Sequence, residues 1–165
     1  SSIATAWRSI ERFVGDPSDT VAGTNMAYAS LEAGMAFTNA ILGATHAMSH
    51  PVGGLCDAPH GAINSVLLPH VIRFNAEADP RPYVDLARAV GVDDSGSPHA
   101  VAERFADAVA RLSYSVGLPR TLRAVGVLGE HLPVLTANAM VDACMTTNPR
   151  QPTPDEILGM YREAL

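Results

Sequence analysis

The sequence predicts one all-helical domain over residues 1–165. Apolar residues recur every three to four positions along most of the chain, which is the period of an amphipathic helix. No stretch shows the alternation of apolar and polar residues, bounded by turn signals, that is typical of a strand. A length of 165 residues suits a single domain with a substantial core and is short for two.

The first two helices follow from apolar periodicity and from capping residues. Four apolar residues at helical spacing predict a first helix over 1–14: Ile3, Trp7, Ile10 and Val14. A second helix is predicted over about 21–42, and three polar residues could cap its start: Asp16, Ser18 and Asp19. Small residues lie on several sides of this second helix, so we expect it to pack closely on more than one face.

Proline and glycine divide the rest of the chain. We expect a kink at Gly43 and a short helix over 44–50 that ends at Pro51. Pro59 stands where a first-turn proline belongs and predicts a helix over 60–74. Four further helices are predicted between glycine and proline breaks: 83–90, 99–116, 131–145 and 155–164.

The composition excludes several classes of protein. The net charge is -6 and no basic cluster occurs, which does not favour a nucleic-acid partner. All basic residues are arginines, so a lysine Schiff base and a phosphate-loop lysine are excluded. Cys56 and Cys144 lie far apart, which suits a reducing compartment. Without a long apolar run or an export signal, we expect a cytoplasmic protein with no membrane partner.

Three of the six histidines fall within fifteen residues: His46, His50 and His60. His46 and His50 are four apart and share one helix face, and His60 follows across a turn rich in proline and glycine. Three imidazoles near one point suit zinc or iron. A metalloprotease needs a glutamate directly after the first histidine, but Ala47 stands there. The other interpretation is that these are buried histidines bonded to backbone carbonyls.

A family resemblance is carried by residues 34–75, which read GMAFTNAILGATHAMSHPVGGLCDAPHGAINSVLLPHVIRFN. It continues through DLARAVGV and GLPRTLRAVGV to DACMTTNPRQPTPDEILGMYREAL. This pattern resembles the iron-containing (group III) alcohol dehydrogenases over essentially the whole chain. The resemblance implies the helical carboxyl-terminal domain of the dehydroquinate synthase-like type. The family's nucleotide-binding domain and its other two metal ligands, an aspartate and a histidine, would then lie outside this chain.

The resemblance also implies roles for individual residues. His46 and His60 would be two ligands of a catalytic metal, ferrous iron or zinc. His50 would lie between this metal and the nicotinamide of NAD or NADP as a proton-relay group, which reduces the predicted ligands from three to two. Phe37 and Cys144 would line the substrate pocket, although an ordinary core aromatic and a buried, inert thiol are the alternatives.

The remaining matches to the family pattern are assigned to structure, as capping and packing residues: Asn39, Asn64, His70 and the turn Asn148-Pro149-Arg150. His99 and His131 stand at predicted helix starts, so we expect both at the surface.

The function that the resemblance implies is NAD(P)-linked oxidation of a small alcohol or reduction of an aldehyde, by a homo-oligomer. We expect the isolated chain to be a poor catalyst, because two neutral histidines leave a cation short of ligands. A stand-alone helical binding or scaffold module derived from this fold is the alternative. Retention of all three clustered histidines favours the enzyme. A metal-dependent hydrolase would need a base near His46, and none is found.

Overall fold

The computed structural model describes residues 2–165. Its α-helices are α1 (Ser2–Gly15), α2 (Thr20–Ala40), α3 (Ala44–Cys56), α4 (His60–Ala76), α5 (Arg81–Val90), α6 (Pro98–Ser115), α7 (Leu132–Val141) and α8 (Pro154–Ala164). Three short 3₁₀ helices flank α7: Leu122–Val125, Gly129–His131 and Ala143–Thr147. The described residues contain no strand, so the all-helical prediction is confirmed. None of these helices combines the length and apolar character needed to cross a membrane.

Side-chain caps determine where several helices begin. Of the three candidates before α2, Asp19 is the cap, and it accepts a hydrogen bond from the Ala22 backbone N–H at 2.9 Å. Thr153 and Glu156 cap α8 reciprocally, each side chain accepting from the other's backbone N–H. Such caps satisfy backbone donors that have no partner within the helix.

The predicted end of the histidine helix at Pro51 is wrong. α3 continues through Pro51 to Cys56 and ends at Asp57, which adopts a left-handed conformation with φ 49°. A proline inside a helix removes one backbone hydrogen bond, and this cost is offset here because the next residue, Val52, is completely buried. Gly43 is also not a kink within one helix: α2 ends at Ala40, and Gly43 is the amino-terminal cap residue of α3.

The single helix predicted over 131–145 is divided at Asp142. This residue is extended (φ -68°, ψ 133°), and its carboxylate accepts a hydrogen bond from the backbone N–H of Cys144 at 2.8 Å. Aspartate side chains compete with helical hydrogen bonds in this way. The chain therefore leaves α7 at Asp142 and begins the 3₁₀ helix Ala143–Thr147, so that Asp142 and Cys144 do not continue α7.

Two packed cores surround the histidine helices. The larger lies between α3, α4, α7 and α8, with one fully buried side chain from each helix at its centre: Met48, Leu67, Leu135 and Tyr161. The Tyr161 hydroxyl donates to the Met48 carbonyl at 2.6 Å, and this ties α8 to α3. The smaller core joins α4, α5 and α6, and α1 adds Trp7 to it. α4, which begins at His60, contributes to both cores.

Asn148 locks the start of α3 onto the end of α4. Its Oδ1 accepts the backbone N–H of Ala44 at 3.0 Å, and its Nδ2 donates to Asn75 Oδ1 at 2.8 Å. All of these groups are buried. A Cβ atom at position 43 would lie only 2.9 Å from Asn148 Oδ1. Glycine is thus required at Gly43 by close approach.

Replacing Asn148 with alanine should lower the free energy of unfolding by about 2–4 kcal/mol, because buried groups of Ala44 and Asn75 would lose their partner. Urea unfolding followed by circular dichroism measures this change. The matched control is Asn39→Ala, since the exposed Asn39 amide bonds only within its own helix, to the carbonyl of Met35. The control should cost less than about 0.5 kcal/mol. Equal losses in the two variants would contradict the anchoring role.

Candidate metal centre

α3 and α4 bring the three clustered histidines together. α3 carries His46 and His50 one turn apart, and His60 is the first residue of α4. The ring centroids of His46 and His60 are 5.2 Å apart, those of His50 and His60 5.4 Å, and those of His46 and His50 6.1 Å. The residues therefore form one cluster at the junction of two helices.

Asn64 lies between two of these histidines. Its Nδ2 atom is 2.9 Å from His60 Nε2 and 3.4 Å from His46 Nε2. The two ring nitrogens therefore face a common point. The sequence alone predicts a capping or packing role for Asn64, whereas the structure places its amide between two imidazoles. Its spacing of four residues from His60 was the available signal, because residues at that spacing share a helix face.

Ser49 favours one tautomer of His60. The buried Ser49 hydroxyl donates to the His46 carbonyl at 3.1 Å and lies 3.4 Å from His60 Nδ1. The Nδ1–H of His60 can donate to this oxygen, which leaves the lone pair on Nε2, facing Asn64. Burial lowers the pKa of His46, and the nearby His60 and His50 lower it further. The His46 ring is thus suited to the neutral form that a metal requires.

The histidine pair fits a divalent metal. A cation that displaced the Asn64 amide from between the two Nε2 atoms would meet two imidazole nitrogens, which are donors that suit zinc and iron. No third histidine, cysteine or carboxylate completes a ligand group with His46 and His60 within residues 2–165. A metal held here needs further ligands from elsewhere.

His50 makes a different contact from the other two. Its Nδ1 atom is 2.8 Å from Asp142 Oδ2, and Asp142 Oδ1 holds the Cys144 N–H. Burial raises the pKa of Asp142, but the hydrogen bonds from His50 and Cys144 outweigh it and keep this pKa below its usual value. Burial and the neighbouring Asp142 raise the pKa of the Cys144 thiol. Asp142 was not identified from the sequence, because its partner is 92 residues away.

A cavity of about 630 Å³ adjoins the cluster. It lies between α1, α4, α5 and α6, is mostly apolar, and reaches His46 and Asn64. Phe37 is not among its lining residues; this side chain lies near the end of α2 and is 49% exposed. The pocket role of Phe37 therefore stays a prediction. Cys144 is partly buried beside Asp142, next to His50.

The other three histidines make separate contacts. His70 Nδ1 lies 3.4 Å from the carboxylate of Glu163 on α8. His99 is exposed, as expected. His131 is only partly exposed, and its Nδ1 accepts the Leu128 N–H at 3.1 Å. None of the three belongs to the cluster around Asn64.

Comparison with known proteins gives one consistent result. The sequence profile described as "Fe-containing alcohol dehydrogenase family, C-terminal" matches residues 1–165. The 1,3-propanediol dehydrogenase of Klebsiella pneumoniae is 44% identical over 158 residues, which are 95% of this chain and 41% of that protein. The lactaldehyde reductase of Escherichia coli K12 is 42% identical over 147 residues, 88% of this chain and 38% of that protein.

The solved structures agree with the sequences. A crystal structure of 1,3-propanediol oxidoreductase superposes with a TM-score of 0.96 at 42% identity and covers 99% of this chain and 43% of that one. The chain thus spans about two fifths of the length of the relatives that it matches.

Burial lowers the pKa of His70 below its ordinary value of 6.5, the hydrogen bond and charge of Glu163 raise it in part, and Arg73 lowers it further. Replacing Glu163 with glutamine should therefore lower the pKa of His70 further, which an NMR titration of the imidazole measures. Glu32→Gln, at an exposed position on α2, is the control and should leave this pKa unchanged.

The lowered pKa of His70 determines how the free energy of unfolding depends on pH. The unfolded chain binds this proton more readily than the folded one, so His70 lowers the free energy of unfolding as the pH falls below about 6.5. A pKa of His70 that rises in the Glu163→Gln variant would contradict the assignment.

Proposed function

The chain belongs to the iron-containing alcohol dehydrogenase family, and we propose that it is the metal-binding helical half of an NAD(P)-linked alcohol dehydrogenase that also reduces aldehydes. The observation that carries this proposal is the convergence of His46 Nε2 and His60 Nε2 on one point, in a chain that matches the family over residues 1–165. The names of the relatives, 1,3-propanediol dehydrogenase and lactaldehyde reductase, support a small alcohol or aldehyde as substrate.

His46 and His60 are the proposed metal ligands, with ferrous iron or zinc as the ion. When bound, the metal supplies Lewis acidity toward the substrate oxygen, and the nicotinamide supplies the hydride acceptor. Ser49 orients the His60 imidazole, because it contacts Nδ1 and leaves Nε2 for the metal, while the Asn64 amide, which contacts both Nε2 atoms, would give way to the ion. The other ligands and the nucleotide-binding domain would come from the part of the relatives' architecture that these residues do not span.

His50 is the proposed proton-relay residue, beside the nicotinamide. Asp142 accepts a hydrogen bond from its Nδ1 and so fixes the plane of the ring. The Nε2 atom has no hydrogen bond within residues 2–165, and the side chain is 41% exposed. An imidazole held at one nitrogen and open at the other can pass a proton between a substrate oxygen and water. Phe37 and Cys144 are proposed to line the substrate pocket.

We further propose a cytoplasmic homo-oligomer. The two cysteines, Cys56 and Cys144, are free, which suits a reducing compartment. α2 exposes five large apolar side chains that association would cover: Val21, Tyr28, Leu31, Met35 and Phe37. Exposed apolar groups of this kind are typical of interaction surfaces.

Residues 1–165 joined to the family's nucleotide-binding domain, and loaded with ferrous iron or zinc, should oxidise propane-1,3-diol with NAD or NADP, whereas residues 1–165 alone should be a poor catalyst. His60→Ala should lower both the metal content and kcat/KM, the latter by more than about 100-fold, because it removes a ligand and not merely an outer contact. The measurements are metal analysis of the protein and the absorbance of the reduced nicotinamide.

His99→Ala is the matched control, since His99 is an exposed histidine on α6. It should leave metal content and turnover unchanged. Lack of turnover together with lack of metal binding in the unsubstituted protein would support the scaffold alternative instead. Turnover that survives His60→Ala would overturn the ligand assignment.

A further inference from the structure

A second group of donors lies beside the histidine pair. His50, Asp142 and Cys144 each offer one ligand atom, and these three atoms lie within 4.8 Å of one another. This is the one group of three such side chains within residues 2–165. We propose that it is a second divalent-metal site, distinct from the His46–His60 pair, and that it takes zinc.

The backbone holds two of the donors together. Asp142 and Cys144 are two residues apart at the break between α7 and the 3₁₀ helix Ala143–Thr147. The hydrogen bond from the Cys144 N–H to Asp142 Oδ1 leaves Oδ2 directed at His50. The cap therefore holds the Asp142 carboxylate in place between the other two donors.

The third donor comes from α3, which packs against α7 and against the 3₁₀ helix. The His50 Nδ1 atom is already 2.8 Å from Asp142 Oδ2. A cation would replace the proton in this hydrogen bond and would also bind the Cys144 sulfur. The cluster is open to ions from solvent, since the His50 side chain is 41% exposed and Asp142 is 19% exposed.

The chemistry of the donors selects the metal. One imidazole nitrogen, one carboxylate oxygen and one thiolate sulfur form a mixed set that suits zinc, whereas magnesium and calcium prefer oxygen alone. On binding, the Cys144 thiol releases its proton to solvent and the sulfur bonds the metal. The carboxylate and the thiolate then balance the two positive charges, so no net charge is left partly buried.

The sulfur distinguishes this site from the histidine pair. His46 and His60 offer nitrogen only, so a metal there has no thiolate ligand from this cluster. Zinc at the second site would also occupy the His50 nitrogen that Asp142 now contacts. Excess zinc should for that reason inhibit the dehydrogenase. This inhibition rests on the proposed function, whereas the second metal site does not.

Cobalt(II) is the probe, because it replaces zinc and shows a sulfur-to-metal charge-transfer band in the near ultraviolet when a thiolate binds it. Titration of the purified, metal-free protein with cobalt should produce this band. Cys144→Ser should abolish the band and Asp142→Asn should weaken cobalt binding. Cys56→Ser is the matched cysteine control and should retain the band, as should the His46→Ala, His60→Ala double variant.

Two results would overturn the proposal: cobalt binding without a sulfur band in the unsubstituted protein, or a band that persists in Cys144→Ser. Circular dichroism of each variant verifies that its helices are intact. The sulfur-to-cobalt band is measured without substrate or nicotinamide, so it does not depend on dehydrogenase activity. The band therefore separates failure of the second site from failure of the proposed function.

Discussion

The buried hydrogen bonds of Asn148 are the constraint on which the rest of the structure depends. They join the first backbone N–H of α3 to Asn75 at the end of α4. His46 lies three residues into α3, so its position follows from where that helix begins. Because the amide is buried, each of its bonds must be satisfied, and the arrangement cannot shift without leaving unpaired groups. A side chain late in the sequence thus determines the geometry of a site formed early in it.

The site combines a partly buried histidine with an exposed one. Burial lowers the pKa of His46, while the contact of Ser49 with His60 Nδ1 leaves His60 Nε2 facing the same point as His46 Nε2. His50, one turn later, is instead controlled by a carboxylate. Three histidines from α3 and α4 therefore lie in different environments, and this difference is the basis for proposing His46 and His60 as metal ligands and His50 as the proton relay.

The sequence predicted the helical class, the grouping of three histidines and the family. Periodicity and caps such as Asp19 suffice for this, because they are local. Two errors arose where tertiary contacts outweigh local signals. α3 passes through Pro51 because Val52 is buried, and the helix after His131 breaks because Asp142 turns to cap Cys144. Local patterns could not identify Asp142 as the partner of His50, because it lies 92 residues further along the chain, at the break after α7.

The most direct measurement of the central claim, that His46 and His60 hold one metal, is X-ray diffraction at the zinc absorption edge from crystals of the zinc-loaded protein. We expect an anomalous peak about 2.0–2.1 Å from both Nε2 atoms, the usual zinc–imidazole distance. A zinc-loaded crystal with no peak between these two atoms, or with a peak bonded to only one of them, would contradict it.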